Sequence, residues 1–185
     1  MRDFDRHDEG AMIEGLKEYI GIQSEWETAC DAVEPGAVRR FAQAIMDDDD
    51  AYTAETDTRF GGPVAPPLYP MMMFRRPYGA PDPLRIHGND PDFDGLGQSS
   101  SLTRGLPEIE PLAGYALLNG GTEVELFRYA RHGETIRMRS RYADITEKET
   151  SKGPIILVTT ESEFATPDGE VLLRARRTLI RRKPK

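Results

Sequence analysis

Four stretches decide the fold of this chain: TEVELFRYA (122–130), TIRMRSRYADI (135–145), PIILVTTESEF (154–164) and EVLLRARRTLI (170–180). In the second, Ile136, Met138 and Tyr142 alternate with Arg137, Arg139 and Arg141. Apolar and charged side chains exchanged at every residue mark a strand with one buried face and one wet face. The breaks between the stretches are RHGE (131–134), TSKG (150–153) and TPDG (166–169). Each holds a glycine where a hairpin needs a positive φ. The pattern predicts an antiparallel meander of four long strands.

Upstream the period changes. Ser24 to Val33 reads as extended, and Glu34-Pro35 opens a helix, with proline in the first turn where no N–H is required. Val38, Phe41, Ala42 and Ile45 form one apolar face at offsets of three, four and seven. The helix should stop near Asp47, at a run of four aspartates whose side chains compete for backbone hydrogen bonds. Leu68 to Phe74, with three consecutive methionines, is apolar all round and predicts a short, buried central helix entered through Pro66 and Pro67. Residues 10–20 suggest a short helix, so 1–20 reads as a helical extension and 21–185 as one domain. Residues 77–113 are rich in Pro, Gly, Asp and Ser and read as an insertion that covers something or meets a partner. A long antiparallel sheet with a buried helix is an α+β two-layer solution: a hot-dog fold, its sheet wrapped around a central helix.

Composition narrows the function. The 185 residues are 38% hydrophobic and 30% charged, with a formal net charge of -8. That charge opposes dedicated nucleic-acid binding, which depends on neutralising phosphates. No apolar run is long enough to span a bilayer, and the charged N-terminus MRDFDRHDEG has no apolar core of a secretory signal. The single cysteine, Cys30, lies among acidic residues that oppose a thiolate, and a cytoplasmic location is the expectation.

Two further runs carry a resemblance. VEPGAVRRFAQAIMDDDDAYTAE (33–55) followed by FGGPVAPPLYP (60–70) resembles the N-terminal segment of MaoC-like dehydratases, a group that includes R-specific enoyl-CoA hydratases. LLNGGTEVELFRYARHGETIRMRSRYADITEK (117–148) and EVLLRARRTLIRR (170–182) look like the strands of the same group. The likeness covers roughly residues 20–75 and 115–183. In that family a loop reading Gly-Asp-x-Asn-Pro-x-His supplies an Asp and a His that activate water. A backbone N–H in a following Ala-His-Gly segment polarises the thioester carbonyl, where enolate charge develops.

Carried over, the Asp position is Asp47, the His position is Tyr52, and the Ala-His-Gly segment is Ala65, Pro66 and Pro67. A tyrosine, with an ordinary pKa near 10, is a poor base at neutral pH. Proline has no N–H to give an oxyanion. Both departures resemble the branch that forms the N-terminal half of fused double hot-dog dehydratases, in which the other half or a partner chain supplies Asp and His.

Other candidates have two readings each. Asn119, before Gly120 and Gly121, could orient a thioester, or the glycines could mark a bulge. His87 in the insertion could replace the missing base if a lid brought it over the site, whereas His132 in RHGE reads as an exposed turn residue. Arg174, Arg176, Arg177, Arg181, Arg182 and Lys183 could meet phosphates, or form an outward strand that resists edge pairing. The histidines are not at ligand spacing, and the aspartates lack the Gly and distant Glu of a calcium loop, so no metal is expected.

The resemblance implies an acyl-thioester hydratase or dehydratase that needs no cofactor beyond the coenzyme A or acyl carrier of its substrate. It is expected as a homodimer, or as a heterodimer with a second MaoC-like chain. Asp47 and Tyr52 are the catalytic candidates. Val64, Ala65, Pro66, Asn119, Gly120, Gly121 and His87 are the substrate-binding candidates. The rivals are a non-catalytic binding or structural subunit and a thioesterase. A thioesterase would want a carboxylate on the central helix, and Leu68 to Arg76 contains none.

Overall fold

The computed structural model describes residues 14–53, 59–75, 78–92 and 105–183. Five antiparallel strands form one sheet: β1 (Glu27–Thr28), β2 (Ala116–Leu126), β3 (Arg137–Lys148), β4 (Ile155–Ala165) and β5 (Val171–Arg182). Their order is β1-β3-β4-β5-β2. The β3–β4 and β4–β5 hairpins turn where the sequence places them, and Gly153 and Gly169 take φ of 97° and 98°.

The first expected hairpin does not form. β2 pairs with β5 instead of β3, so the meander has three strands, and β2 lies at the far edge. The reason lies in residues 127–136, whose backbone groups are used elsewhere. The N–H groups of Phe127 and Arg128 donate to the Leu172 carbonyl, that of His132 to Pro63, and that of Gly133 to Val33. The RHGE turn therefore stitches distant segments together while the chain crosses the end of the sheet. A second correction follows for the basic strand. β5 is interior, so its arginines do not protect an edge.

The pleat sorts the side chains. Met138, Phe164 and Leu173 share one inward row, and Ser140, Ser162 and Ala175 share the next. The outward rows are ionic: Arg139 and Arg174 both bind Glu163, at 3.1 and 3.0 Å, and Arg141 binds Glu161 at 2.8 Å. Trp26 stacks over Arg137 and Arg139, at 4.2 and 4.5 Å from its ring. Arg177 and Arg181, in contrast, fall on the inward face, opposite Thr160 and Ile156.

Helix α1 (Pro35–Ile45) starts at its proline and lays Val38 (0% exposed) and Ala42 into the core. Burying one valine contributes about 1.5–3 kcal/mol. The expected short central helix is a single turn, α2 (Tyr69–Met72). Pro66, Pro67 and Pro70 withhold three N–H groups from any longer ladder. Nor is this segment buried all round: Tyr69, Pro70 and Met73 are buried, but Leu68 and Met72 are 48% and 45% exposed. It still seats on the sheet through Phe74 against Phe164, and on α1 through Tyr69 against Phe41. A five-residue helix α3 (Pro83–His87) follows.

One core cluster joins α1, residues 51–52 and 64–73, and the Met138 end of the sheet. A second joins Leu16, Leu106, Ile109 and Leu112 to Tyr142, Ile145, Ile156 and Val158. Leu106 to Leu112, the end of the expected insertion, thus cover one end of the sheet, and the Tyr142 hydroxyl donates to the Pro107 carbonyl at 2.7 Å. Of the N-terminal extension, residues 14–17 are helical, whereas His7, Met12 and Ile13 lie outside the described residues, as do 76–77 and 93–104 of the insertion region. Among the described residues no helix is long and apolar enough to cross a membrane.

Candidate functional site

Helix α1 ends on Met46, the one described non-glycine residue with a positive φ, at 57°. A left-handed residue turns the chain so that trailing N–H groups cap the last carbonyls. Met46 N–H donates to Gln43 and Asp47 N–H to Ala42. This is where the MaoC-like loop has glycine, and a side chain in that conformation costs about 1–2 kcal/mol. The methionine side chain gains no burial in return, being 91% exposed. Asp47 follows directly and is fixed by the helix end.

Residues Asp50–Tyr52 form a 3-10 turn. Asp49 caps it, its Oδ1 accepting from Ala51 N–H at 2.9 Å and from Arg59 Nη2 at 2.5 Å. The Ala51 N–H, and after it Arg59, hold the Asp49 carboxyl below its ordinary pKa. Ala51 and Tyr52 are 0% and 5% exposed, so the turn is anchored in the first core cluster. That anchoring points the Tyr52 ring inward and brings its hydroxyl to Asp47.

The two catalytic candidates meet. Tyr52 Oη donates to Asp47 Oδ2 at 2.8 Å, while Asp47 Oδ1 accepts from Asp49 N–H at 3.3 Å. Burial first, and then the Asp47 carboxylate, push the Tyr52 phenol well above its ordinary pKa. The phenol is therefore a hydrogen-bond donor and not a base across the physiological range.

Val64, Ala65 and Pro66 pass beside this turn. Val64 N–H donates to the Ala51 carbonyl and Ala65 N–H to that of Ala130, both within 2.9 Å. All three residues are buried. With Ala65 committed and Pro66 and Pro67 lacking an N–H, the segment offers no free backbone donor where the family has one.

Asn119 lies elsewhere. Its register partner is Leu179, six residues along β5 from Leu173 in the first cluster's row. At strand rise that is roughly 20 Å from Leu173 and roughly 13 Å from Ala175, the cluster member on β5 nearest to it. The register shifts between Asn119 and Gly121, so a bulge is present. A Cβ on Gly120 would meet the Thr178 carbonyl oxygen at 2.9 Å, which explains that glycine sterically. Asn119 is exposed, and its side chain accepts from Gly121 N–H at 3.3 Å.

His87 is half-buried at the end of α3, and neither Asp47 nor Tyr52 bonds to it. His132 is not the exposed turn residue that its context suggested. It is half-buried against Val64, with Nε2 buried and without a hydrogen-bond partner among the described residues. Burial lowers its pKa, and a hydrogen bond with the Val64 backbone opposes that shift. Among the described residues no group of three or more His, Cys, Asp or Glu could hold a metal ion. Asp49 and Arg59 are the participants that sequence reading missed. The signal was present: an aspartate two residues before a turn N–H is a common capping arrangement.

The model of a FAS1-like, dehydratase domain region matches residues 18–175. No curated protein matches the chain by sequence. Among solved structures, a chain of the ChsH1-ChsH2 complex from Mycobacterium tuberculosis superposes with a TM-score of 0.72 at 18% identity, over 95% of this chain and 93% of that one. R-hydratase PhaJ1 from Pseudomonas aeruginosa gives 0.55 at 10% identity, over 89% and 83%. A MaoC-like dehydratase from Rhodospirillum rubrum gives 0.53 at 19% identity, over 88% and 94%. Likeness at such identities establishes the hot-dog fold.

Proposed function

Because this chain belongs to the FAS1-like dehydratase-region family, we propose that it is the acyl-thioester-binding member of a two-chain hydratase or dehydratase. The observation that carries this reading is the 2.8 Å bond from Tyr52 Oη to Asp47 Oδ2. Hydration of a trans-2-enoyl thioester adds hydroxide to C3 and a proton to C2, and dehydration reverses both. The first step needs a base with a lone pair aimed at water. Here the oxygen that would hold water accepts from a buried phenol, and the other accepts from Asp49 N–H. The residue in the histidine position cannot take a proton near neutral pH.

A partner chain of the same fold would supply the base and the oxyanion donor, and this chain would shape the acyl site. The heteromeric relatives are consistent with that arrangement: ChsH1-ChsH2, and the HadBC (3R)-hydroxyacyl-ACP dehydratase of Mycobacterium tuberculosis. The reaction is redox-neutral and would take its thioester on coenzyme A or an acyl carrier. We place it in the cytoplasm, where the exposed thiol of Cys30 would stay reduced.

The test is hydration of a panel of trans-2-enoyl-CoA thioesters by the purified chain, beside Asp47→Ala. The expected result is acyl-CoA binding without turnover in either protein. Turnover by the isolated chain that disappears in Asp47→Ala would overturn the partner-dependent reading. An absence of acyl-CoA binding would favour a structural subunit.

A further inference from the structure

The arginines in the middle of the sheet are of two kinds. Arg139, Arg141, Arg174 and Arg176 point outward, and each pairs with Glu161 or Glu163 at 2.8 to 3.8 Å. Arg177 points inward and is half-buried, and it has no ion-pair partner among the described residues. Arg181 shares its face. Burial lowers the Arg181 pKa, while Tyr142 and Glu108 oppose that shift, so a carboxylate already stands near this second cation. A guanidinium taken partly out of water without a counter-charge costs free energy that the anion of a ligand can recover.

The row that holds Arg177 runs Tyr142–Thr160–Arg177–Thr122. It is closed towards β3, where Tyr142 and Thr160 are 4% and 8% exposed. It is open towards β2, where Thr122 and the next inward residue, Asn119, are both exposed. Arg177 stands at the boundary, and its neighbours along β5 on the same face are Ala175 and Leu179. None of these is acidic. The Asn119 side-chain oxygen accepts from Gly121 N–H at 3.3 Å, and its NH2 group remains to donate. Guanidinium, amide and hydroxyl donors with no acid among them select an anion.

The size of that anion follows from the count of charges. One guanidinium fork matches one planar carboxylate through two parallel N–H···O bonds. A phosphate or pyrophosphate carries more charge than a single arginine offsets. Arg177 lies two residues along β5 from Ala175, roughly 7 Å at strand rise. Ala175 shares the core cluster of Tyr52, so the cation is on the face that carries the Asp47–Tyr52 end. We propose that Arg177, with Thr122 and Asn119 beside it, binds the free carboxylate of a short dicarboxylic acyl thioester. The inference deepens the proposed function and rests on it for the thioester.

Isothermal titration calorimetry on the full chain compares succinyl-CoA with butyryl-CoA, adipoyl-CoA with hexanoyl-CoA, and all four with free coenzyme A. Within each pair only the terminal group differs, carboxylate against methyl. At one chain length or both, the dicarboxylic member should bind at least about tenfold more tightly. In Arg177→Met, shown folded by circular dichroism, that preference should vanish while butyryl-CoA, hexanoyl-CoA and coenzyme A bind as before. Thr122→Val, at an exposed strand position that suits valine, should lower the preference about two- to tenfold. Equal affinity within both pairs for the wild-type chain would overturn the proposal without any variant. An Arg177→Met chain that loses coenzyme A and both members of a pair alike would overturn it too, and would assign Arg177 to phosphates. Absence of binding by all five compounds would remove the thioester reading and this inference together. Simple acyl-CoA thioesters bound without preference would remove this inference alone.

Discussion

Tyr52→Phe removes one oxygen and isolates the bond on which the proposed function rests. The ring is 5% exposed and packs in the first core cluster, so phenylalanine keeps the shape and loses only the donor to Asp47 Oδ2. A hydrogen bond to a charged group contributes about 1.5–3 kcal/mol net. Asp47 is half-buried, so water can reach part of the carboxylate left behind, and the lower half of that range is expected. For 185 residues, an unfolding entropy of roughly 2.1 cal/mol/K per residue sums to about 0.39 kcal/mol/K. The loss then lowers Tm by about 4–6 °C, measured by thermal melts and urea titration with an unchanged m-value. Asp47→Asn keeps an acceptor without the charge and should cost less, about 0.5–1.5 kcal/mol, with the double variant non-additive. Since Tyr52 carries no proton in the proposed scheme, Tyr52→Phe should also leave acyl-CoA binding intact. The reasoning fails if Tyr52→Phe is as stable as the wild type. It fails equally if the isolated wild-type chain turns over substrate and the variant does not.

Two more perturbations follow from the geometry. Gly120→Ala should destabilise by about 1–3 kcal/mol in urea unfolding, because its methyl group would press on the backbone oxygen of Thr178, which cannot swing aside. His132 should make the fold acid-sensitive: burial lowers its folded pKa, so below the unfolded value of about 6.5 the unfolded chain binds more protons and stability falls with pH. His132→Gln should flatten the decline in urea midpoint between pH 7 and pH 5, and an unchanged decline would remove His132 as its cause.

Much of the site was legible before any coordinates. The five-residue step from Asp47 to Tyr52, read through the family resemblance, named both members of the pair. The two prolines at 66 and 67 ruled out an oxyanion N–H on covalent grounds alone. What was not legible was the direction of the Tyr52 hydroxyl. That depends on the Asp49 cap, on Arg59, and on a 3-10 turn held by Ala51 in a core assembled from α1, residues 64–73 and the sheet. His132 was misjudged for a related reason. A Gly-containing turn looks solvated locally, but this one is pinned to Pro63 and Val33 by segments distant in sequence.

By itself the sequence determined the strands and their two faces, since period-two alternation is a local property that any pairing must respect. It also determined where α1 begins and where β3, β4 and β5 turn, because proline and glycine restrict the backbone at their own positions. Only the tertiary structure decided strand order. Alternation says which side chains point inward but not which strand stands beside which, and the β2 edge exists because residues 127–136 spend their hydrogen bonds on Leu172, Pro63 and Val33. That choice placed Glu123 and Glu125 on an open edge and put Arg174 and Arg176 inside the sheet, where they face carboxylates.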